Sequence, residues 1–483
     1  MVGTKPAVPV IAGVGAVVQH AAPGEAVEAV ELMARSVRRA ADDGAGSLIE
    51  RAGLVLVPEG MWGYRDPAAL VAERCGIAGA HTVFAAVGIL QQSLFDRAAT
   101  AIAAGEADVV LVVGGEARAR ARMASKAGID APETTQDESV RPGTRLEPAD
   151  DILHDLEIHR GLALPAAQYA VMDSALRAAE GLTMAEHRAA LAQLWAAFGQ
   201  VAAVNPWAWD TSAPSADEIL DQRSVASPYT RLLCSQWNVD QAAAIVFASA
   251  DAARRAGIAG DRLVYPRAGV VSNHMVPLLQ RPSLGHHAAI DQVGQAIEQM
   301  SGIAPAAASM HDLYSCFPAA VRMQARQLQV PLDPAPTVSG GMTFGGGPLN
   351  NAVLMALVRT VERLRDEGGT AYVSSISGMI TKYGAGLFGS EPGERPYQAL
   401  DVADRVAAAT AWSPTVDEHR GSATVLGSTV TSNPACRQVV AVVETDDGSR
   451  TVTTSSIDQV AEAFESDDHV GRSVTVDGTG LRG

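Results

Sequence analysis

Residues 339–351, reading Ser-Gly-Gly-Met-Thr-Phe-Gly-Gly-Gly-Pro-Leu-Asn-Asn, constrain this chain more than any other stretch. A short β-compatible run, residues 336–338, precedes them. Residues 352–364 follow, with apolar side chains at helical spacing around Arg359, Glu362 and Arg363. Strand, glycine turn and helix in that order place backbone N–H groups at a helix N-terminus, where a ligand oxygen or an oxyanion can be held. Glycine also permits a helix to pack closely on a strand, so packing alone is an equally physical reading of the run.

The N-terminal part repeats the pattern. Residues 8–14 read as a buried strand, 25–40 as an amphipathic helix and 53–57 as a second strand. Residues 82–86 then lead through Gly88 into a helical segment at 91–104, and 108–113 form an apolar strand ending at Gly114-Gly115-Glu116. This alternation predicts a parallel sheet, and its resemblance to the order around residues 339–351 and 371–375 predicts two halves on one plan. With 483 residues, 47% of them hydrophobic but only 5% aromatic, the chain should build about three domains by close helix-on-sheet packing, an α/β architecture.

Between the halves the pattern changes. Residues 122–151 are polar, carry Pro132, Pro142 and Pro148, and read as loop. Residues 169–179 and 184–201 read as helices, the second opened by Thr183 with Glu186 three positions on, a capping box. Asn205-Pro206-Trp207-Ala208-Trp209 stops that helix. The two tryptophans are expected to anchor an inserted domain, with a substrate-facing wall as the alternative.

Charge and cysteines narrow the function classes. Fifty-four acidic against 37 basic residues give a net charge of -17, which argues against general binding to nucleic acid or anionic membranes. No apolar run is long enough for a membrane helix and no signal-peptide pattern opens the chain, so a cytoplasmic protein is expected. Cys75, Cys234, Cys316 and Cys436 have no metal-ligand spacing, and the 11 histidines include no His-x-x-x-His. Free thiols and no metal site are the expectation.

Residues 238–246, Asn-Val-Asp-Gln-Ala-Ala-Ala-Ile-Val, resemble the segment that thiolases write as Val-Asn-Asp-Gly-Ala-Ala-Ala. Residues 102–115 resemble the thiolase helix and strand that follow the nucleophile. The resemblance runs through residues 5–395 and is closest to the sterol-carrier-protein thiolase branch. It implies two thiolase half-folds in a layered α/β/α/β/α arrangement with an inserted loop domain. The halves would be residues 1–121 closed by 238–262, and 263–395, with residues 122–237 inserted.

The same resemblance implies where reactive groups should stand. The acylated cysteine of the family would fall at Gly88 or Ile89, where there is no thiol; Cys75 lies too far upstream and Ser93 one turn into the helix. The second motif falls on Tyr314-Ser315-Cys316-Phe317, with Tyr314 at the position that orients a catalytic water and Cys316 read as a small buried thiol. The preceding His311 and Asp312 are out of register with the family's His-Asp pair. Gly-His-Pro falls on Gly346-Gly347-Pro348, so Gly347 replaces an imidazole and leaves backbone donors, Gly345 included, and the Asn350 and Asn351 amides. The Cys-x-Gly region, residues 374–378, holds Ser374, Ser375, Ser377 and Gly378 but no cysteine. Just beyond, Lys382 reads either as a phosphate-binding point charge or as a solvated loop lysine, beside Tyr383.

Three functions stay open on these residues: a thiolase-like protein binding CoA or an acyl-CoA without ordinary acetyltransferase activity, a retro-aldol lyase on a CoA thioester using Tyr314 and Tyr383, and a scaffold with a vestigial cleft. No cofactor is required beyond CoA or acyl-CoA as ligand. After a linker at 391–396, residues 397–483 carry short strands at 423–430, 438–445, 450–454 and 473–476, a turn at Asp446-Asp447-Gly448-Ser449 and a helix at 457–464. This resembles the additional C-terminal domain of actinobacterial thiolase-like proteins, a small β-barrel of OB type, here acidic and suited to packing or ligand capping. Family resemblance implies a homodimer, and an appended domain over the usual dimer surface implies a monomer instead.

Overall fold

The computed structural model describes residues 7–149, 152–433 and 436–482, without the side chains of residues 433 and 436, so the Cys436 thiol lies outside the described residues. In chain order the strands are β1 (Pro9–Val18), β2 (Leu54–Pro58), β3 (His81–Ala85), β4 (Val109–Ala117), β5 (Thr144–Leu146) and β6 (Ser224–Ala226). Then come β7 (Tyr229–Thr230), β8 (Asp240–Ser249), β9 (Tyr265–Ser272), β10 (Met310–Asp312), β11 (Thr370–Ser377) and β12 (Lys382–Gly389). The last are β13 (Gln398–Asp401), β14 (His419–Asn433), β15 (Cys436–Thr445), β16 (Arg450–Ser455), β17 (Ser473–Gly478) and β18 (Gly480–Arg482).

Three sheets result. The first has the order β1-β8-β4-β2-β3-β5 and the second β10-β11-β12-β9-β13. Strands β4 and β8 are buried along their whole length and β1 along nearly all of it, as apolar runs covered on both faces must be. The expected parallel sheet is mixed instead, because β8 runs antiparallel to both β1 and β4. It follows the long inserted segment rather than a helical crossover, so nothing imposes a parallel direction on it.

The two halves do share one plan. In the first sheet β2 lies parallel to β4, which is antiparallel to β8, which is antiparallel to β1. In the second, β10, β11, β12 and β9 repeat the same sequence of directions. Helices Gln91–Ala103 and Ala352–Glu367 lie between the sheets, where Leu94, Phe95, Leu354 and Leu357 share one core with Phe247 and Val373. Helix Ala29–Ala40 covers the outer face of the first sheet, and helices Ala288–Ser301 and Pro318–Leu328 that of the second. The layering is therefore the α/β/α/β/α arrangement expected.

The inserted segment is more structured than its composition suggests. Residues 122–151, read as loop, include most of helix Arg118–Ala127 and strand β5, which pairs parallel with β3. Helices Pro165–Glu180 and Met184–Ala203 form as expected, and Thr183 and Glu186 close the capping box through Thr183 Oγ1 (3.2 Å) and Glu186 Oε2 (2.9 Å). Residues 336–338 are not a strand. Asp312 takes the N–H groups of Val338 (3.0 Å) and Ser339 (2.9 Å) that a ladder would need.

At the C-terminal end β15, β16, β18, β17 and β14 pair in a ring and close a five-stranded barrel around Val425, Val439, Val443 and Val476. The turn at residues 446–449 joins β15 to β16, as expected. Two segments cross the sequence-based boundaries: β6 of the inserted part pairs with β14 of the barrel, and β13, past the linker, pairs with β9 of the second sheet. Arg450 anchors the barrel, donating to the carbonyls of Arg281 and Pro282 (3.0 Å for the latter). Among the described residues no helix is long and apolar enough to cross a membrane, and no three His, Cys, Asp or Glu side chains converge as metal ligands.

Candidate functional site

The glycine stretch is held from below by Asp312, at the end of β10. Its Oδ2 accepts from Thr337 Oγ1 (3.0 Å) as well as from the N–H groups of Val338 and Ser339. Burial raises the carboxyl pKa above its ordinary value, although these donors counteract it. Ser315 continues the support, its Oγ accepting from the Met342 N–H at 3.1 Å. The Gly340 N–H donates to Thr337 Oγ1 (3.0 Å) and the Gly347 N–H to the Gln236 carbonyl (2.9 Å). The N–H groups of Gly340, Met342 and Gly347 thus already have partners within the protein.

The carbonyls are engaged too. Asn205 Nδ2 donates to Ser339 O (2.9 Å), the Trp209 N–H to Gly345 O (3.1 Å), and the Asp210 N–H to Phe344 O (2.8 Å). Gln241 Nε2 bridges Gly345 O (2.8 Å) and Trp207 O (3.0 Å). Gly346 has φ 103°, and a Cβ there would run into the Gln241 amide, so this position requires glycine for packing. Trp207 donates its indole N–H to Glu362 (2.8 Å). The tryptophan loop is therefore an anchor, and Trp207 also forms part of a cavity wall.

That cavity brings together Tyr314, Ser315, Gly345 and Gly346 from the sequence expectations, together with Asp312 and Ser374. Its volume is about 20 Å³, room for one water molecule. Sequence reasoning set Asp312 aside on register grounds; its position before the glycine run was the available signal. The half-buried Tyr314 has its phenol pKa raised by burial, so it stays protonated at neutral pH.

The other expected residues lie elsewhere. Gly88 (φ 104°) packs against Pro148, whose Cγ would stand 2.8 Å from an added Cβ. Gly378 packs against Ile152 in the same way. Asn350 ties the halves together, donating to Glu59 O (2.9 Å) and accepting from Gln91 Nε2 (3.5 Å). Ser377 ends β11, its carbonyl accepting from Thr381 Oγ1 (3.0 Å). Lys382 is no solvated loop residue: it is 1% exposed in β12, its ammonium 3.4 Å from the Asn273 side-chain oxygen. Tyr383 is fully buried and its hydroxyl lies 3.1 Å from that of Tyr372, outside the cavity lining.

No described cysteine is a ready nucleophile. Cys75, Cys234 and Cys316 are free thiols, pushed by burial up to about 11, about 12 and about 12 respectively.

A layered pair of half-folds with a middle layer of two helices defines the thiolase architecture, and solved structures share it. A monomeric SCP2-thiolase-like protein type 1 from Mycobacterium smegmatis is 27% identical, with a TM-score of 0.82 over 99% of each chain. The Ltp2–ChsH2(DUF35) aldolase is 18% identical with a TM-score of 0.58, covering 80% of this chain and 99% of its own. The dimeric peroxisomal thiolase of Saccharomyces cerevisiae is 13% identical with a TM-score of 0.58 and the same coverage. No family model matches the sequence, and no curated protein matches it. The chain is therefore similar, over nearly its whole length, to thiolase-like proteins of the sterol-carrier-protein thiolase branch.

Proposed function

We propose that this protein recognises a CoA thioester without forming an acyl-cysteine. The observation that carries the second half of this reading is at Gly88. A left-handed backbone with Pro148 against it leaves no room for any nucleophilic side chain there, and the described thiols are held protonated at neutral pH. CoA-thioester recognition rests on the thiolase relationship. Because the cavity under the glycine stretch holds only about 20 Å³, a pantetheine arm must displace residues 205–210 or the segment that carries Pro148 and Ile152. The barrel, read as OB-type, packs on the inserted helices and would cap such an opening.

The test is thermal denaturation of the full chain with CoA and with acetyl-CoA, followed by intact-mass measurement. Both ligands should raise Tm with concentration, and no acetyl adduct should form on any cysteine. No shift at millimolar ligand would leave the scaffold reading in place of this one; an acetylated cysteine would overturn the non-covalent part. A lyase reading draws on the aldolase among the structural neighbours and on Tyr314 beside Asp312. It is weakened because Tyr383 hydrogen-bonds Tyr372 instead. Cleavage of a β-hydroxyacyl-CoA panel, lost in Tyr314→Phe, would replace the binding reading with it.

A further inference from the structure

A second recess lies where the end of β1 meets helix Ala29–Ala40. It is an open groove of about 660 Å³, lined by His20 and by Arg35, Arg38 and Arg39. In a chain of net charge -17 this concentration of cations is unusual. Glu31 accepts from both Arg35 (3.3 Å) and Arg38 (3.2 Å), so one carboxylate serves two guanidinium groups and leaves donors of each available. Glu25 is the one acid in the lining. Arg39 has no carboxylate partner among the described residues; its guanidinium lies over the Trp207 ring, 5.0 Å from the centroid. Beside it, His20 packs on Trp209 with ring centroids 4.3 Å apart.

Arginines near a helix C-terminus are expected to complement its dipole. The groove goes further, because three fork-shaped cations face one space and the aromatic contact fixes one of them, Arg39. Planar guanidinium groups match phosphate oxygens in pairs, which a point charge does not. We propose that this groove binds a small polyphosphate-bearing ligand, with Arg38 and Arg39 as its principal contacts. Trp207, under the Arg39 guanidinium, is itself tied to the glycine stretch: its carbonyl accepts from the same Gln241 amide that donates to Gly345.

Isothermal titration of the full chain with inorganic pyrophosphate and with ADP tests this, with tryptophan fluorescence as a second readout at Trp207 and Trp209. Saturable binding that weakens as salt is added is expected. Arg38→Ala and Arg39→Ala should each raise Kd about tenfold, while Arg97→Ala, on the exposed side of another helix, should leave it unchanged. Tighter binding of ADP would assign the site to a nucleotide, and equal binding to the polyphosphate alone. Absence of binding at millimolar concentrations, or an equal loss in Arg97→Ala, would overturn the proposal.

Discussion

Asp96 lies on the helix that follows Gly88, buried between the two sheets. Its Oδ1 accepts from Gln92 Nε2 (2.6 Å) and Tyr397 Oη (2.7 Å), and desolvation raises its carboxyl to about 7. An unfolded aspartate titrates near pH 4. Between these values the folded state holds the extra proton, so this contribution to stability is complete below about pH 4 and is lost as pH rises through about 7. Across a shift of about three units the effect is at most on the order of 4 kcal/mol. Asp96→Asn keeps the acceptor oxygen and removes the titration. Urea denaturation at about pH 5 and about pH 8 should show the variant gaining on the parent at the higher pH; parallel profiles would exclude Asp96 as the source. None of this was legible in the sequence, where Asp96 is one acid on a helix. The absence of a nucleophile at Gly88 or Ile89, where the family resemblance places it, was legible, since a residue type is stated by the sequence itself.

At the scale of elements, the Asp312 carboxylate is the staple of the glycine stretch. Asp312→Ala would leave the Thr337 hydroxyl and two buried N–H groups without their acceptor, costing about 2–4 kcal/mol. Asp312→Asn retains one carbonyl oxygen and should cost less. Chemical denaturation gives the magnitudes, and hydrogen exchange at Val338 and Ser339 should accelerate in the alanine variant before global unfolding. Unchanged exchange there would show that the loop is held by other contacts. Helices were read well because capping residues and apolar spacing are local: Thr183 and Glu186 fixed one start to the residue. Residues 336–338 misled because a β-compatible run becomes a strand only when a neighbouring ladder takes its N–H groups, and here a side chain from a distant strand takes them.

At the scale of the molecule, β5 from the inserted segment pairs along the outer side of β3, so the five-residue β3 is covered and a three-residue strand is left as the sheet edge. The barrel is joined to the same body through β6 and through Arg450. A single chain should therefore be the species in solution. Light scattering behind size exclusion is expected to give the mass of one chain across a wide concentration range, and a dimer mass would contradict it. The Mycobacterium smegmatis neighbour is described as monomeric, and the yeast thiolase as dimeric.

The sequence by itself determined the layered α/β architecture, the paired halves, the added barrel and the absence of a thiol at the expected helix start. The alternation and the pairing of the halves follow from periodicity and turn residues, which are carried along the chain; the layering, the barrel and the place of the missing thiol follow from motifs that resemble a known family. Tertiary structure alone decided that β8 runs antiparallel, that Lys382 is buried, that Tyr383 pairs with Tyr372, and that Pro148 and Ile152 fill the spaces beside Gly88 and Gly378. Each depends on which distant segment arrives at a given place, and that is settled by the packing of the whole core rather than by any local pattern.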